Sequence, residues 1–316
     1  MNRRPEISII IIAYNMAREV PRTVFSFLPP FQRGIAPEDV EIIVVENGSS
    51  SPVPPDVVAG WPTNVRYCVP DKIISSPAYA LNYGAGIARG KYLCPVIDGA
   101  RMASPGLISN GLAASKLADR SFVATVGLHL GHEPQQFAIQ RGYNQQVEDD
   151  LLESVHWRDD GYRLFDISCF GRSAEAGWFG RISESNAPIL SASCYDRLGG
   201  YDTRFDIPGG GLVNLDFFRR CVEDSATQYI MLLGEGTFHQ HHGGVTTSSP
   251  IRQTLDESGR SVWDVYVDQY QQLRGHDWKA PDVNPFLFGQ ATGSGRAPVL
   301  RAMQKSVKKA LDDMPK

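Results

Sequence analysis

From Ile7 to Ala13 the chain is almost unbroken in β-branched residues, the pattern of a parallel strand buried on both faces. A second run of this kind spans Val40 to Val45 and ends at the turn cluster Glu46-Asn47-Gly48-Ser49; a shorter one spans Val65 to Val69, and a fourth runs from Tyr92 to Ile97 and stops at Asp98-Gly99. Between them the spacing changes to that of helices. Ala17 to Leu28 is helical if Pro21 lies in the first turn, and Ala78 to Ala88 is Ala-rich, with Ser76-Pro77 as cap and first turn. Such strand–helix alternation predicts a mostly parallel sheet with helices on both faces. Ligands of such sheets sit beyond the carboxyl ends of the strands. Tyr14, Asn15, Glu46 and Asp98 all follow directly after predicted strands.

Further along, Ser104 to Leu117 reads as a helix and Phe122 to Leu128 as a strand. Periodicity weakens from His129 to Ser185, where a variable loop-and-helix region is expected to carry acceptor specificity. It returns at Ile189 to Ser193, then at Asp216 to Val222 (helix), Tyr229 to Leu233 (strand) and Trp263 to Leu273 (helix). Asp277 to Gly295, rich in Pro and Gly, reads as a linker. The tail from Val299 to Leu311 sets Leu300, Met303, Val307 and Leu311 on one face. There is no internal repeat.

Composition narrows the classes. In 316 residues, 31 Lys and Arg face 35 Asp and Glu, without the basic excess of a nucleic-acid binder. The cysteines, Cys68, Cys94, Cys169, Cys194 and Cys221, are scattered and form no CxxC pair, which fits a reducing compartment and argues against a zinc knuckle. The first apolar run is too short for a signal peptide and ends at Tyr14-Asn15, and no stretch approaches the roughly 20 apolar residues of a membrane span. A cytoplasmic protein is expected. The basic tail, with Arg296, Arg301, Lys305, Lys308, Lys309 and Lys316, suits packing on the main domain or a partner, or peripheral membrane contact.

Several motifs occur in a telling order: Ala13-Tyr14-Asn15; Ile42-Ile43-Val44-Val45-Glu46-Asn47-Gly48-Ser49; Asn82-Tyr83-Gly84; Ala88-Arg89-Gly90-Lys91-Tyr92-Leu93 with a strand ending at Asp98; and Leu198-Gly199-Gly200-Tyr201-Asp202-Thr203-Arg204-Phe205. Over roughly residues 5 to 245 this set resembles the family 2 glycosyltransferases. The resemblance implies a GT-A fold, inversion, a nucleoside-diphosphate-sugar donor and a divalent cation. Nucleotide binding falls to Tyr14 as a stacking ring, Asn15 and Glu46 as hydrogen-bonding groups, Asn82 and Asp98. For Asn82 a role in capping or satisfying helix backbone stays open, and for Asp98 a turn cap.

Asp98-Gly99-Ala100 stands where the family places Asp-x-Asp, so one acid is missing and Arg101 follows. Either Asp98 shares a cation with a distant histidine, or Arg101 takes over a phosphate contact, its guanidinium matching phosphate geometry. The first is preferred. Phe238-His239-Gln240-His241-His242-Gly243-Gly244 supplies the imidazoles. His239 and His241 share a face if the segment is extended, His239 matches the family pattern best, and His242 adjoins them. Mixed imidazole–carboxylate ligation suits manganese or a similar ion, with Mg2+ as the other candidate.

The family's acidic run before its catalytic helix aligns Val213-Asn214 with its acid pair and Asp216 with a later acid. An asparagine cannot accept a proton as a carboxylate does, so Asp216 is expected as catalytic base, with Glu235, the Asp149-Asp150 pair or no base as alternatives. Gly209-Gly210-Gly211 suits a loop whose backbone approaches a ligand.

The sequence thus points to a GT-A-like α/β domain over residues 1–250 and a helical C-terminal extension with a basic tail over 251–316. The expected activity is transfer of a sugar from a nucleotide-sugar to a glycan or lipid-linked acceptor, in surface polysaccharide or glycoconjugate synthesis. The alternatives are a non-catalytic glycosyltransferase-like module in an assembly complex and, more weakly, a nucleotidyltransferase on the same sheet topology.

Overall fold

The pairing of the first two strands sets the frame for the site. A computed structural model describes residues 3–243, 254–256 and 258–313. In it β1 (Ile7–Ala13) lies parallel to β2 (Val40–Glu46), with Ile7 beside Val40 and Ala13 beside Glu46. Ile7, Ile9 and Ile11 pack into one hydrophobic cluster and Ile10 and Ile12 into the other, so both faces are covered and the strand reads as a continuous apolar run. The connecting helix α1 (Glu19–Ser26) takes Pro21 in its first turn, where no helical hydrogen bond is lost.

A short α2 (Pro55–Ala59) leads to β3 (Val65–Cys68), parallel to β2. Helix α3 (Pro77–Ile87), its Ala78 N–H donating to the Ser76 side chain, precedes β4 (Tyr92–Val96), parallel to β1 on its other side. Strands β4, β1 and β2 are therefore neighbours running the same way, about 4.8 Å apart. Tyr14, Glu46 and Asp98 emerge from one edge.

Next come β5 (Arg101–Ala103), α4 (Leu107–Ser115) and β6 (Ser121–Leu130). The weakly periodic stretch contains α5 (Gln135–Ala138), α6 (Gln145–Ser154), β7 (Ser168–Phe170) and several 3-10 turns. Then follow β8 (Ile189–Ser191), α7 (Ala192–Arg197), α8 (Val213–Val222) and β9 (Gln228–His239). After residue 254 lie α9 (Val262–Arg274), β10 (Phe286–Gly289) and α10 (Arg296–Asp312). The main path through the sheet is β10-β9-β6-β8-β4-β1-β2-β3, with β5 on β9 and β7 on β6. Only β8 on that path runs antiparallel to its neighbours.

Two differences from the sequence reading matter. Strand β9 continues past Leu233 to His239 through an irregularity: Ala124 and Val126 on β6 pair with Met231 and Gly236. Beyond it Phe238 enters the core beside Leu128, while His239 pairs with both His129 and Arg101. The second difference lies in the expected linker, where Phe286–Gly289 adds a parallel edge strand to β9. The expected domain boundary at 250/251, Gly244 of the histidine cluster and Lys316 of the tail lie outside the described residues. Helix α10 buries Pro298, Val299 and Ala302 and exposes Leu300, Met303, Val307 and Leu311. Among the described residues, no helix is long and apolar enough to cross a membrane.

Candidate active site

Asp98 follows β4 at a point where the backbone turns against β1. A side-chain carbon at Gly99 would stand 2.4 Å from the Ile12 carbonyl oxygen, so only glycine permits this approach. The turn is held by the Ala100 N–H donating to Asp98 Oδ1 at 3.1 Å. From the far side, β9 delivers His239, whose Nε2 lies 2.9 Å from Asp98 Oδ2. After β9 ends, the chain bends back and brings His242 Nε2 to 3.1 Å from His239 Nε2 and 3.5 Å from Asp98 Oδ1. The three side chains offer one ligand atom each to a common point.

The surrounding hydrogen bonds show what that point can hold. Gln135 Nε2 donates to the His239 carbonyl at 3.0 Å and to Glu148 at 3.4 Å, so Gln135 Oε1 is the atom facing His239 Nδ1 at 2.6 Å. Nδ1 must then carry the proton, which leaves a lone pair on Nε2 pointing at the Asp98 carboxylate. Burial pushes the His239 imidazole down to about 4, against the pull of Asp98, so a second proton does not relieve the contact near neutrality. Burial also opposes ionisation of Asp98, but His239, His242 and Arg101 outweigh it and hold the carboxyl well below its ordinary value. Facing lone pairs about 3 Å apart are the spacing of neighbouring ligands on an ion bound at roughly 2.1 Å. Asp98, His239 and His242 fit a divalent cation.

Arg101 lies on the same side. Its Nε is 3.4 Å from Asp98 Oδ2 and buried without a hydrogen-bond partner. Tyr14 is 54% exposed at the end of β1, free to stack on a flat ring. Asn15 takes the left-handed conformation (φ 53°) and ties the two strand ends together: its N–H donates to Ser49 Oγ, and its Oδ1 accepts from Ser50 Oγ and the Ser51 N–H. Glu46 is buried; one oxygen accepts from the Ser49 N–H and hydroxyl, the other from Tyr67 at 2.8 Å.

Three expected site residues are placed elsewhere. His241 is not with Asp98: its N–H donates to Glu148 at 2.7 Å and its ring meets Tyr143 edge-on. Alternation along an extended segment stops where β9 stops, at His239, so His242 takes the position expected of His241. Asn82 has three of its four hydrogen-bonding positions engaged, accepting from the Tyr195 hydroxyl and the Tyr201 N–H and donating to the Tyr201 carbonyl. It ties α3 to Tyr195 of α7 and to the backbone of Tyr201 beyond it, not to the backbone of its own helix. Asp216 is buried, accepting from Arg220 Nε at 2.8 Å and from Arg274 Nε and Nη2 at 2.6 and 2.8 Å. A buried carboxylate enclosed by two guanidiniums, with three of its roughly four lone-pair sites taken, has little access to a substrate proton, which counts against Asp216 as the base.

The other carboxylates weighed as bases are also occupied. Glu235 accepts from Ser104, Gly106, Asn110 and Tyr162, Asp149 is paired with Arg18 and Arg22, and Asp150 accepts from Gln146 at 2.8 Å. The glycine loop carries positive φ at all three positions and packs on α9, Tyr266 donating to the Pro208 carbonyl. Two residues escaped the sequence reading. Gln135, which orients His239, sits in the weakly periodic stretch, where nothing in the spacing marks it. Glu184, which accepts from Asn214 Nδ2 at 2.7 Å, lies in the same stretch.

Comparisons with known proteins agree with this frame. Residues 8–98 match the sequence profile of Glycosyl transferase family 2. No curated protein gives a significant match. Among solved structures, S. aureus TarS residues 1–349 in complex with UDP-GlcNAc matches with a TM-score of 0.53 at 10% identity, covering 98% of this chain and 73% of that one. The same fragment in complex with UDP gives 0.45 at 10% identity over 76% and 58%. A further TarS structure gives 0.45 at 11% identity over 68% of this chain, which spans only 34% of that chain's length. The TarS fragment bound to UDP-GlcNAc shares the fold along nearly the whole chain, a GT-A-like curled sheet flanked by helices. Residues 8–98 are thus similar to a family 2 glycosyltransferase domain, within a fold shared along nearly the whole chain.

Proposed function

We propose that the protein transfers a sugar from a nucleoside-diphosphate-sugar to an acceptor hydroxyl with inversion. The observation that carries this reading is the grouping of ligand atoms from Asp98, His239 and His242, beside Arg101, whose buried Nε has no hydrogen-bond partner, at the strand edge where such sheets bind ligands. Asp98, His239 and His242 would hold the cation, with Mn2+ favoured over Mg2+ because two of the ligands are imidazoles. When bound, the ion stabilises the negative charge that develops on the leaving diphosphate. Arg101 would take a phosphate oxygen, Tyr14 would stack on the base, and Asn15 and Glu46 would hold the loops that frame it. The TarS complexes make UDP and UDP-GlcNAc the first ligands to try. A glycan or lipid-linked acceptor is part of the reading. The exposed apolar stripe of α10 and its neighbouring Arg301, Lys305, Lys308 and Lys309 suit peripheral contact with a cytoplasmic membrane surface.

The test is a thermal-shift screen of UDP and GDP with and without Mn2+, followed by release of UDP from UDP-sugars. Stabilisation by nucleotide only with the cation, together with slow donor hydrolysis, is the expected result. No response to any nucleoside diphosphate would remove the reading. The capture of Asp216 by Arg220 and Arg274 favours a second reading, a nucleotide-binding module without turnover. It predicts binding without hydrolysis or transfer.

A further inference from the structure

Glu184 differs in its surroundings from Asp98, Asp216, Glu46, Glu148 and Glu235. Asp98 faces two imidazoles and Arg101, and Asp216 is enclosed by two guanidiniums. Glu46, Glu148 and Glu235 are buried among donors. Glu184 is half-buried on the segment leading into β8, and among the described residues no Lys or Arg pairs with it. Its one hydrogen-bond partner there is the neutral amide of Asn214, whose Nδ2 donates to Oε2 at 2.7 Å. The Tyr201 hydroxyl, at 3.5 Å, donates to Asn214 Oδ1, which keeps the amide turned so that its nitrogen faces Glu184.

A row of polar side chains joins this carboxylate to the cation position. Asn214 Nδ2 also donates to Asn186 Oδ1 at 3.3 Å. Asn186 Nδ2 and Arg101 Nη1 both reach the space left by the missing side chain of Gly127, 3.8 and 3.2 Å from where its Cβ would stand. Arg101 Nε in turn lies 3.4 Å from Asp98 Oδ2. The row therefore runs Asp98, Arg101, Asn186, Asn214, Glu184, from where the leaving phosphate would be neutralised to a carboxylate that is reachable from solvent.

We propose that Glu184 is the general base of the transfer, held in place by Asn214; this rests on the glycosyl-transfer reading above. The Asn214 N–H holds Oε2 and leaves Oε1 to accept a hydrogen bond from the acceptor hydroxyl. The hydroxyl proton passes to Glu184 as the acceptor oxygen bonds to the anomeric carbon. The bond between that carbon and the diphosphate oxygen breaks, and its electron pair leaves with the nucleoside diphosphate. No other reactant is needed. Asn214 is a positioning residue and touches no reacting atom.

The test uses the full chain with Mn2+ and a panel of UDP- and GDP-hexoses, with water as acceptor, measuring nucleoside diphosphate release. Glu184→Gln is expected to lower kcat about 100-fold or more, while KM for the donor and the Mn2+-dependent thermal shift with UDP stay unchanged. Adding Asn214→Asp to that variant returns a carboxylate to the same spot and is expected to recover at least about tenfold. Turnover of Glu184→Gln within about threefold of the parent protein overturns the proposal. So does a loss accompanied by weaker UDP binding, or one that Asn214→Asp does not relieve, because Glu184 then serves the structure only. If the unaltered chain binds nucleotide but hydrolyses none of the donors, the glycosyl-transfer reading fails first, and the proposal with it.

Discussion

Arg274, in the last turn of α9, donates to both oxygens of Asp216 in the first turn of α8, at 2.6 and 2.8 Å. A second carboxylate, Asp202, lies 2.8 Å from Arg274 Nη2. Removing one partner of a buried pair leaves the other charged and unsolvated, at a cost of roughly 3–5 kcal/mol. Arg220 stays with Asp216, so Arg274→Ala is expected to lower the unfolding free energy by about 2–3 kcal/mol. Urea denaturation measures this, and a change below about 0.5 kcal/mol would show the pair to be dispensable.

The same group gives a pH dependence. Hydrogen bonds from Arg204 and then Arg274 hold the Asp202 carboxyl below its ordinary value, against the effect of burial. A depressed folded-state value stabilises the fold above the unfolded value of about 4, and that contribution is lost as pH falls through the folded value. The gap in stability between the parent protein and Arg274→Ala is therefore expected to hold above about pH 5 and to narrow progressively as pH falls below about 4. Parallel urea titrations across that range check the sign.

Gln135 offers His239 an oxygen and no alternative, because its nitrogen is committed to the His239 carbonyl and Glu148. Gln135→Leu frees the imidazole to change tautomer or rotate. Partners of this kind are worth about 10- to 100-fold in metal affinity, and a loss of that size is expected for Mn2+ by calorimetry. Unaltered affinity would mean that packing alone orients the ring.

Neighbouring histidines in the cluster should behave differently. Asp98→Asn or His239→Ala is expected to abolish the thermal shift produced by Mn2+ with UDP, since the first removes the negative charge and the second a ligand atom from the set of three. His241→Ala should keep it, because that ring faces Tyr143 instead. Equal loss in all three variants would contradict the arrangement.

The sheet was legible because its buried strands carry their own signature: Ile7 to Ala13, Val40 to Val45 and Tyr92 to Ile97 each became a strand within a residue or two. The placement of Tyr14, Glu46 and Asp98 on one edge of the sheet followed from their position at strand ends. The errors came where tertiary contacts decide. Position 216 fits a catalytic acid by spacing alone; only an arginine 58 residues away shows it to be an ion-pair centre. His241 was paired with His239 on the assumption that the extended segment continued. Gln135 and Glu184 belong to a stretch without periodicity, and they acquire meaning only through the residues that fold against them.

Strand β9 carries a consequence of its own. Ala124 and Val126 are two steps apart on β6, whereas their partners Met231 and Gly236 are five steps apart, so β9 holds an odd surplus of three residues. Side chains alternate along a strand, and an odd surplus exchanges its faces. Deleting or inserting one residue in that excess would turn Phe238 toward Asp98 and drive His239 into the apolar core, whereas a change of two would leave both where they are. Which side chain this strand turns toward Asp98 is thus a matter of parity in chain length, and a relative with the same histidine but an even count would present a phenyl ring there instead.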